Sequence, residues 1–132
     1  MFSLMIRSHR LTTILSDGVK VFRTDYTPAS LKTALTGQDA VISVLGGGSL
    51  GDPQFALIDA AVAAGVKRFV PSEYGSDTTD EKVVAFVPFF KGKQAVTAHL
   101  RKKESEGLQW TGVITGPFFD WVCLNSPQAI YT

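Results

Sequence analysis

The sequence predicts an α/β fold built on a parallel sheet, and three observations lead there. Short apolar runs of strand length alternate with stretches whose apolar residues recur at helical spacing. Glycine and proline stand at the joints between them. The joints are short, so each helix serves as the crossover between neighbouring strands.

The elements follow in order. Leu4 to Ile6 is a short apolar run, and Val19 to Thr24 is a β-branched, partly alternating stretch closed by Asp25; both read as strands. Thr27-Pro28 opens a helix as cap and first-turn proline, Leu31, Ala34 and Leu35 form its apolar stripe, and Gly37 stops it. Asp39 to Leu45 is mostly apolar and ends in Gly46-Gly47-Gly48, the pattern of a strand covered on both faces. Asp52-Pro53 begins a second helix with Phe55, Leu57, Ile58, Ala61 and Val62 inward and Gly65 at its end. Val66 to Val70 is the next strand, and Pro71 to Phe90 reads as irregular. Lys91 to Glu106 is a third helix with Val96 and Leu100 inward, capped by Gly107, and Trp110 to Thr115 is the last clear strand. Gly116 to Thr132 shows no strong period.

Composition narrows the class. With 132 residues the chain suits one domain or part of one. Hydrophobic residues at 45%, charged residues at 19% and a net charge of +1 can fill a core and leave no excess charge to draw nucleic acid or an anionic membrane. The single Cys123 cannot form an internal disulfide, which suits a reducing compartment. No run approaches the ~20 apolar residues that cross a bilayer, and the first residues lack a signal-peptide pattern. A cytoplasmic location is the expectation.

Three stretches together resemble one family. Ile58-Asp59-Ala60-Ala61-Val62-Ala63-Ala64-Gly65-Val66-Lys67-Arg68-Phe69-Val70-Pro71-Ser72-Glu73-Tyr74-Gly75 is the most specific. Asp25-Tyr26 with the following short helix and Gln38-Asp39-Ala40-Val41-Ile42-Ser43 is the second. The third runs through Phe90, Lys93, Val96 and Leu100 to Glu106-Gly107-Leu108, Trp110-Thr111 and Gly116-Pro117-Phe118-Phe119. They are similar to the NmrA-like and isoflavone-reductase-like branch of the atypical short-chain dehydrogenase/reductases. The resemblance implies an incomplete Rossmann-like domain, a partial doubly wound parallel sheet spanning residues 1–132. The family's opening strand and glycine-rich turn have no counterpart before Gly18, and most of its substrate-binding part is missing.

That gap carries a structural expectation. In the doubly wound order 3-2-1-4-5-6 the first strand lies between the second and the fourth. Without it, the strands matching two and three form one small pair. Strands four, five and six form another group, with an unpaired edge.

The resemblance also implies site residues, each of which has a plainer reading. Arg7 follows the second strand, where a cation pairs with the 2′-phosphate of NADP, or it is ordinary surface. Asp25 borders the adenine or simply ends a strand. Gly46, Gly47 and Gly48 sit at the carboxyl edge, where a missing Cβ lets a dinucleotide approach the backbone; a flexible loop is the alternative. Ser72, Glu73 and Tyr74 match positions bordering the nicotinamide, and Glu73 alternatively braces its loop. Four residues beyond Tyr74 stands Thr78, so the Tyr-x-x-x-Lys pair of ordinary short-chain dehydrogenases is absent. Lys93 matches the family lysine that acts as general acid or base, with Lys91 as the other possibility and a solvated helix-start lysine as the plain reading. Phe118, Phe119 and Trp121 can wall an apolar pocket, but core packing is the preferred reading. His9 and His99 show no evident partners in the sequence, and Cys123 reads as inert.

The function implied is an NAD(P)H-dependent reductase of a small organic substrate, aromatic or otherwise, with NADP preferred over NAD. A cofactor-sensing regulator that contacts a protein partner is a second expectation. An inactive fragment, whose cofactor binding is lost with the phosphate loop, is a third.

Overall fold

The computed structural model describes residues 3–7, 19–46 and 51–118. Gly47 and Gly48, His9, Phe119, Trp121 and Cys123 lie outside them, as does the side chain of Arg7. Among the described residues the strands are β1 (Ser3–Arg7), β2 (Lys20–Thr24), β3 (Ala40–Ile42), β4 (Arg68–Val70) and β5 (Gln109–Trp110). The helices are α1 (Pro28–Leu35), α2 (Asp52–Ala63), α3 (Glu81–Phe86) and α4 (Lys91–Lys103).

The strands fall into two groups, β1-β2 and β3-β4-β5, and every pairing is parallel. This is the divided sheet expected of a doubly wound fold without its middle strand. In the first group Ser3 lies opposite Lys20 and Arg7 opposite Thr24. In the second, Val41 lies opposite Phe69, which lies opposite Trp110. Among the described residues β3 pairs only with β4, so its outer edge keeps unpaired backbone groups. Ile42, 68% exposed, and Val44, 75% exposed, project from this part of the chain. A groove of about 140 Å³ is lined by Phe22 of β2, Leu35 of α1, Val41 of β3 and Leu57 of α2.

Local chemistry places the helix ends. The Thr27 side chain accepts from the Ser30 N–H and Pro28 occupies the first turn, so α1 starts where cap and proline predict. Asp25 Oδ1 accepts from the Thr27 N–H at 3.0 Å and from the Ser30 hydroxyl at 2.6 Å, bracing the same turn. Those bonds hold its carboxyl well below the usual range, at about 2, with the Ser30 bond contributing most. Gly51, with no side chain to offer, is the cap of α2, one residue earlier than Asp52. After α2, Gly65 adopts φ +75°, the Val66 N–H donates to Ala61 C=O and the Gly65 N–H to Val62 C=O. This is a Schellman closure that turns the chain straight into β4.

The core is one cluster. Leu31 and Leu35 of α1, Leu57, Ile58 and Ala61 of α2, and Val96 and Leu100 of α4 close around Val41 and Phe69 of the sheet. Phe55 and Val62, expected inward, are only partly buried. Gln54 is fully buried instead.

Two strands end earlier than expected, and the ladder's donors explain both. The run Trp110–Thr115 pairs only at its start, ending with the Thr111 N–H donating to Phe69 C=O at 3.1 Å. The next donor from the β4 side is Pro71, which has no N–H. The run Asp39–Leu45 pairs with β4 as far as the Ser43 N–H on Val70 C=O. The next donor there, the Ser72 N–H, goes to Gln54 Oε1 at 3.1 Å. The stretch Pro71–Phe90, expected to be irregular, contains α3, started by Asp80 accepting from the Lys82 N–H at 2.8 Å. Among the described residues no helix is long and apolar enough to cross a membrane.

Candidate functional site

The carboxyl ends of β3 and β4 meet the first turn of α4 around a cleft of about 610 Å³. Gly46, Ser72, Tyr74 and Lys93 line it, together with the rings of Phe90 and Phe118. Gly46, Ser72, Tyr74, Lys93 and Phe118, all singled out in the sequence, thus share one cavity, and the wall is mostly apolar.

Ser72 is fixed from two sides. Its N–H donates to the buried Gln54 and its hydroxyl donates to Leu45 C=O at 2.5 Å, tying the end of β4 to the end of β3. Gln54 was not anticipated. Its signal was a polar residue at the spacing of Ile58 and Ala61 on the inward face of α2, where a buried amide demands a polar partner. At Gly46 a Cβ would meet nothing within 4 Å among the described residues, which leave the space above that backbone open.

Lys93 reaches the cleft because α4 buries one stripe, Lys93, Val96, Thr97 and Leu100. The helical spacing that turns Val96 and Leu100 inward carries the lysine with them, leaving it 7% exposed. Lys91 is exposed. The Lys93 ammonium donates to Glu73 C=O at 2.5 Å and lies 5.8 Å from the Phe90 ring centroid, within cation–π range. Burial lowers its pKa below the ordinary lysine range, with the Glu73 charge pulling the other way.

Glu73 does not line the cleft. Its side chain, 1% exposed, turns under the loop, where Thr78 Oγ1 donates to Oε2 at 2.8 Å. Among the described residues Oε1 has no partner. Burial raises the carboxyl's pKa, the Thr78 bond and the Lys93 charge oppose the rise, and Asp77 adds to it. The Tyr74 hydroxyl is also raised, by burial.

Arg7 ends β1 opposite Thr24, and Asp25 braces α1 and does not line this cleft. Phe118 is not core: it lies beyond the end of β5, 53% exposed on the cleft wall. His99, read as lacking a partner, has its Nε2 2.8 Å from Asp59 Oδ1 and its ring edge-on to Phe55.

The model of the NmrA-like family matches residues 5–125. The oxidoreductase aprR of Aspergillus flavus is 41% identical over 105 residues, covering 77% of this chain and 35% of that protein. An isoflavone reductase homolog of Zea mays is 40% identical over 103 residues, covering 76% of this chain and 32% of its own length. The chain therefore spans about a third of the length of these curated relatives, 35% and 32%. Among solved structures, the binary complex of leucoanthocyanidin reductase with NADPH from Vitis vinifera superposes with a TM-score of 0.60 at 27% identity, covering 74% of this chain and 34% of that one.

Proposed function

The chain belongs to the NmrA-like family, and from that premise we propose that its cleft receives the nicotinamide end of NADPH beside a small aromatic substrate, with Lys93 as the proton-handling residue. The single observation that carries this reading is the buried amine of Lys93 facing the same cavity as Gly46 and Ser72, at the carboxyl edge where doubly wound sheets bind ligands.

The residues present fit that end of the cofactor. The open space at Gly46 admits a flat ring close to the backbone. Phe90 and Phe118 give the substrate side apolar, aromatic walls. When bound, the reduced nicotinamide supplies hydride. Lys93, held by Glu73 C=O, gives or takes a proton at its Nζ. The apolar wall excludes water, which strengthens every charge interaction inside. Preference for NADP over NAD rests on Arg7 at the end of β1.

A second reading is favoured by the open outer edge of β3 and the exposed Ile42 and Val44. On it, the chain is part of a dinucleotide domain whose central strand and phosphate cradle are not among these residues, and cofactor affinity is weak or lost. Titration with NADPH, read by the fluorescence of Trp110 and by NADPH oxidation in the presence of aromatic substrates, separates the cases. Saturable binding with oxidation supports the reductase. Saturable binding without oxidation by any substrate supports a cofactor-sensing regulator, and no saturable change supports the second reading.

A further inference from the structure

We propose that Glu73 is a positioning residue for Lys93: its backbone carbonyl holds the amine at the cleft wall, and its buried carboxyl supplies the counter-charge behind it. This rests on the reading of Lys93 as the proton-handling group, and it goes beyond that reading by assigning work to a side chain that never enters the cleft.

The geometry is specific. One residue offers Lys93 both a direct acceptor, the C=O at 2.5 Å, and a second charge from a carboxyl on the same Cα. That carboxyl is enclosed: Thr78 donates to its Oε2, and among the described residues Oε1 meets no donor. Once ionised, a carboxylate enclosed there acts on Lys93 through a poorly screened interior.

The groups that act on Glu73 are few. α4 brings Lys93, the loop itself brings Asp77 and Thr78, and the chain after β5 brings Gly112, which carries no charge and would place a Cβ only 3.8 Å from Glu73 Cγ. Lys93 is therefore the cation that its carboxylate favours. The sign follows: an ionised Glu73 keeps the proton on Lys93, and removing that charge releases it at lower pH.

The test reads Lys93 directly, by the pH titration of its ε-carbon resonance in the lysine-labelled chain, with no cofactor present. Glu73→Gln should move the midpoint down by about one pH unit, and Glu73→Asp, which keeps the charge, should recover part of the shift. In the unaltered chain the same resonance should show a second, smaller inflection where Glu73 titrates, a reading that needs no variant to fold. A Lys93 midpoint unmoved in folded Glu73→Gln would overturn the proposal, as would the absence of that inflection. Failure of NADPH oxidation leaves these readings intact, so it counts against the reductase reading and not against this one.

Discussion

Lys93→Ala is expected to lower the rate of substrate reduction by about 10²–10⁴-fold, the range over which a positioned proton donor or acceptor contributes, while leaving NADPH affinity close to that of the unaltered chain. The asymmetry follows from where the side chain stands. Its Nζ is held at the cleft wall by Glu73 C=O, beside Phe90 and not within the backbone edge formed by Gly46 and Ser72. The pH profile should carry the same signature. Burial lowers the Lys93 pKa, so the free amine is populated below the ordinary lysine range, and a limb assigned to it lies on the low side of that range. Lys93→Met, which keeps the stem and loses the charge, should match Ala in rate. Steady-state turnover with separately measured NADPH affinity checks this, and a variant that lost affinity and kept turnover at saturation would contradict it.

Phe69→Ala should be the most damaging change in the core, costing about 3–5 kcal/mol out of a domain stability of only about 5–15 kcal/mol. Phe69 is fully buried at the middle of the three-stranded group, opposite Val41 on one side and Trp110 on the other. It is the largest side chain in a cluster fed by α1, α2 and α4, so no neighbour can swing in to fill the space. The strand residues beside it share little of that burial: Val41 is small, Trp110 is only partly buried and Ile42 faces outward. Urea unfolding followed by far-ultraviolet circular dichroism checks the loss. A midpoint within experimental error of the parent would show that the sheet does not depend on this layer.

Much of this was legible in the sequence, for reasons that differ from element to element. The stripes of α1 and α4 could be read because their apolar residues obey one period; the sequence left Lys93 and Lys91 both open, and the structure buries Lys93 and exposes Lys91. The division of the sheet could be foreseen because strand order is a matter of topology, not of side-chain detail. What stayed hidden depends on three-dimensional partners. Gln54 looks like an ordinary helix residue until the Ser72 N–H arrives at its amide. The early end of β5 depends on a proline in a different strand's exit, Pro71. Phe118 reads as core by composition, yet it lies beyond the last paired residue. Glu73 could be picked out as part of a loop motif, but not the turn that sends its carboxyl under the loop and its carbonyl towards Lys93.

The most direct measurement is the set of intermolecular nuclear Overhauser contacts between the nicotinamide ring protons of added NADPH and the isotope-labelled chain. The account predicts contacts to the Lys93 ε-methylene, to the Ser72 β-methylene and to the Gly46 α-protons, the three groups that face one cavity. Contacts confined to residues away from that cavity, or none at saturating NADPH, would contradict it.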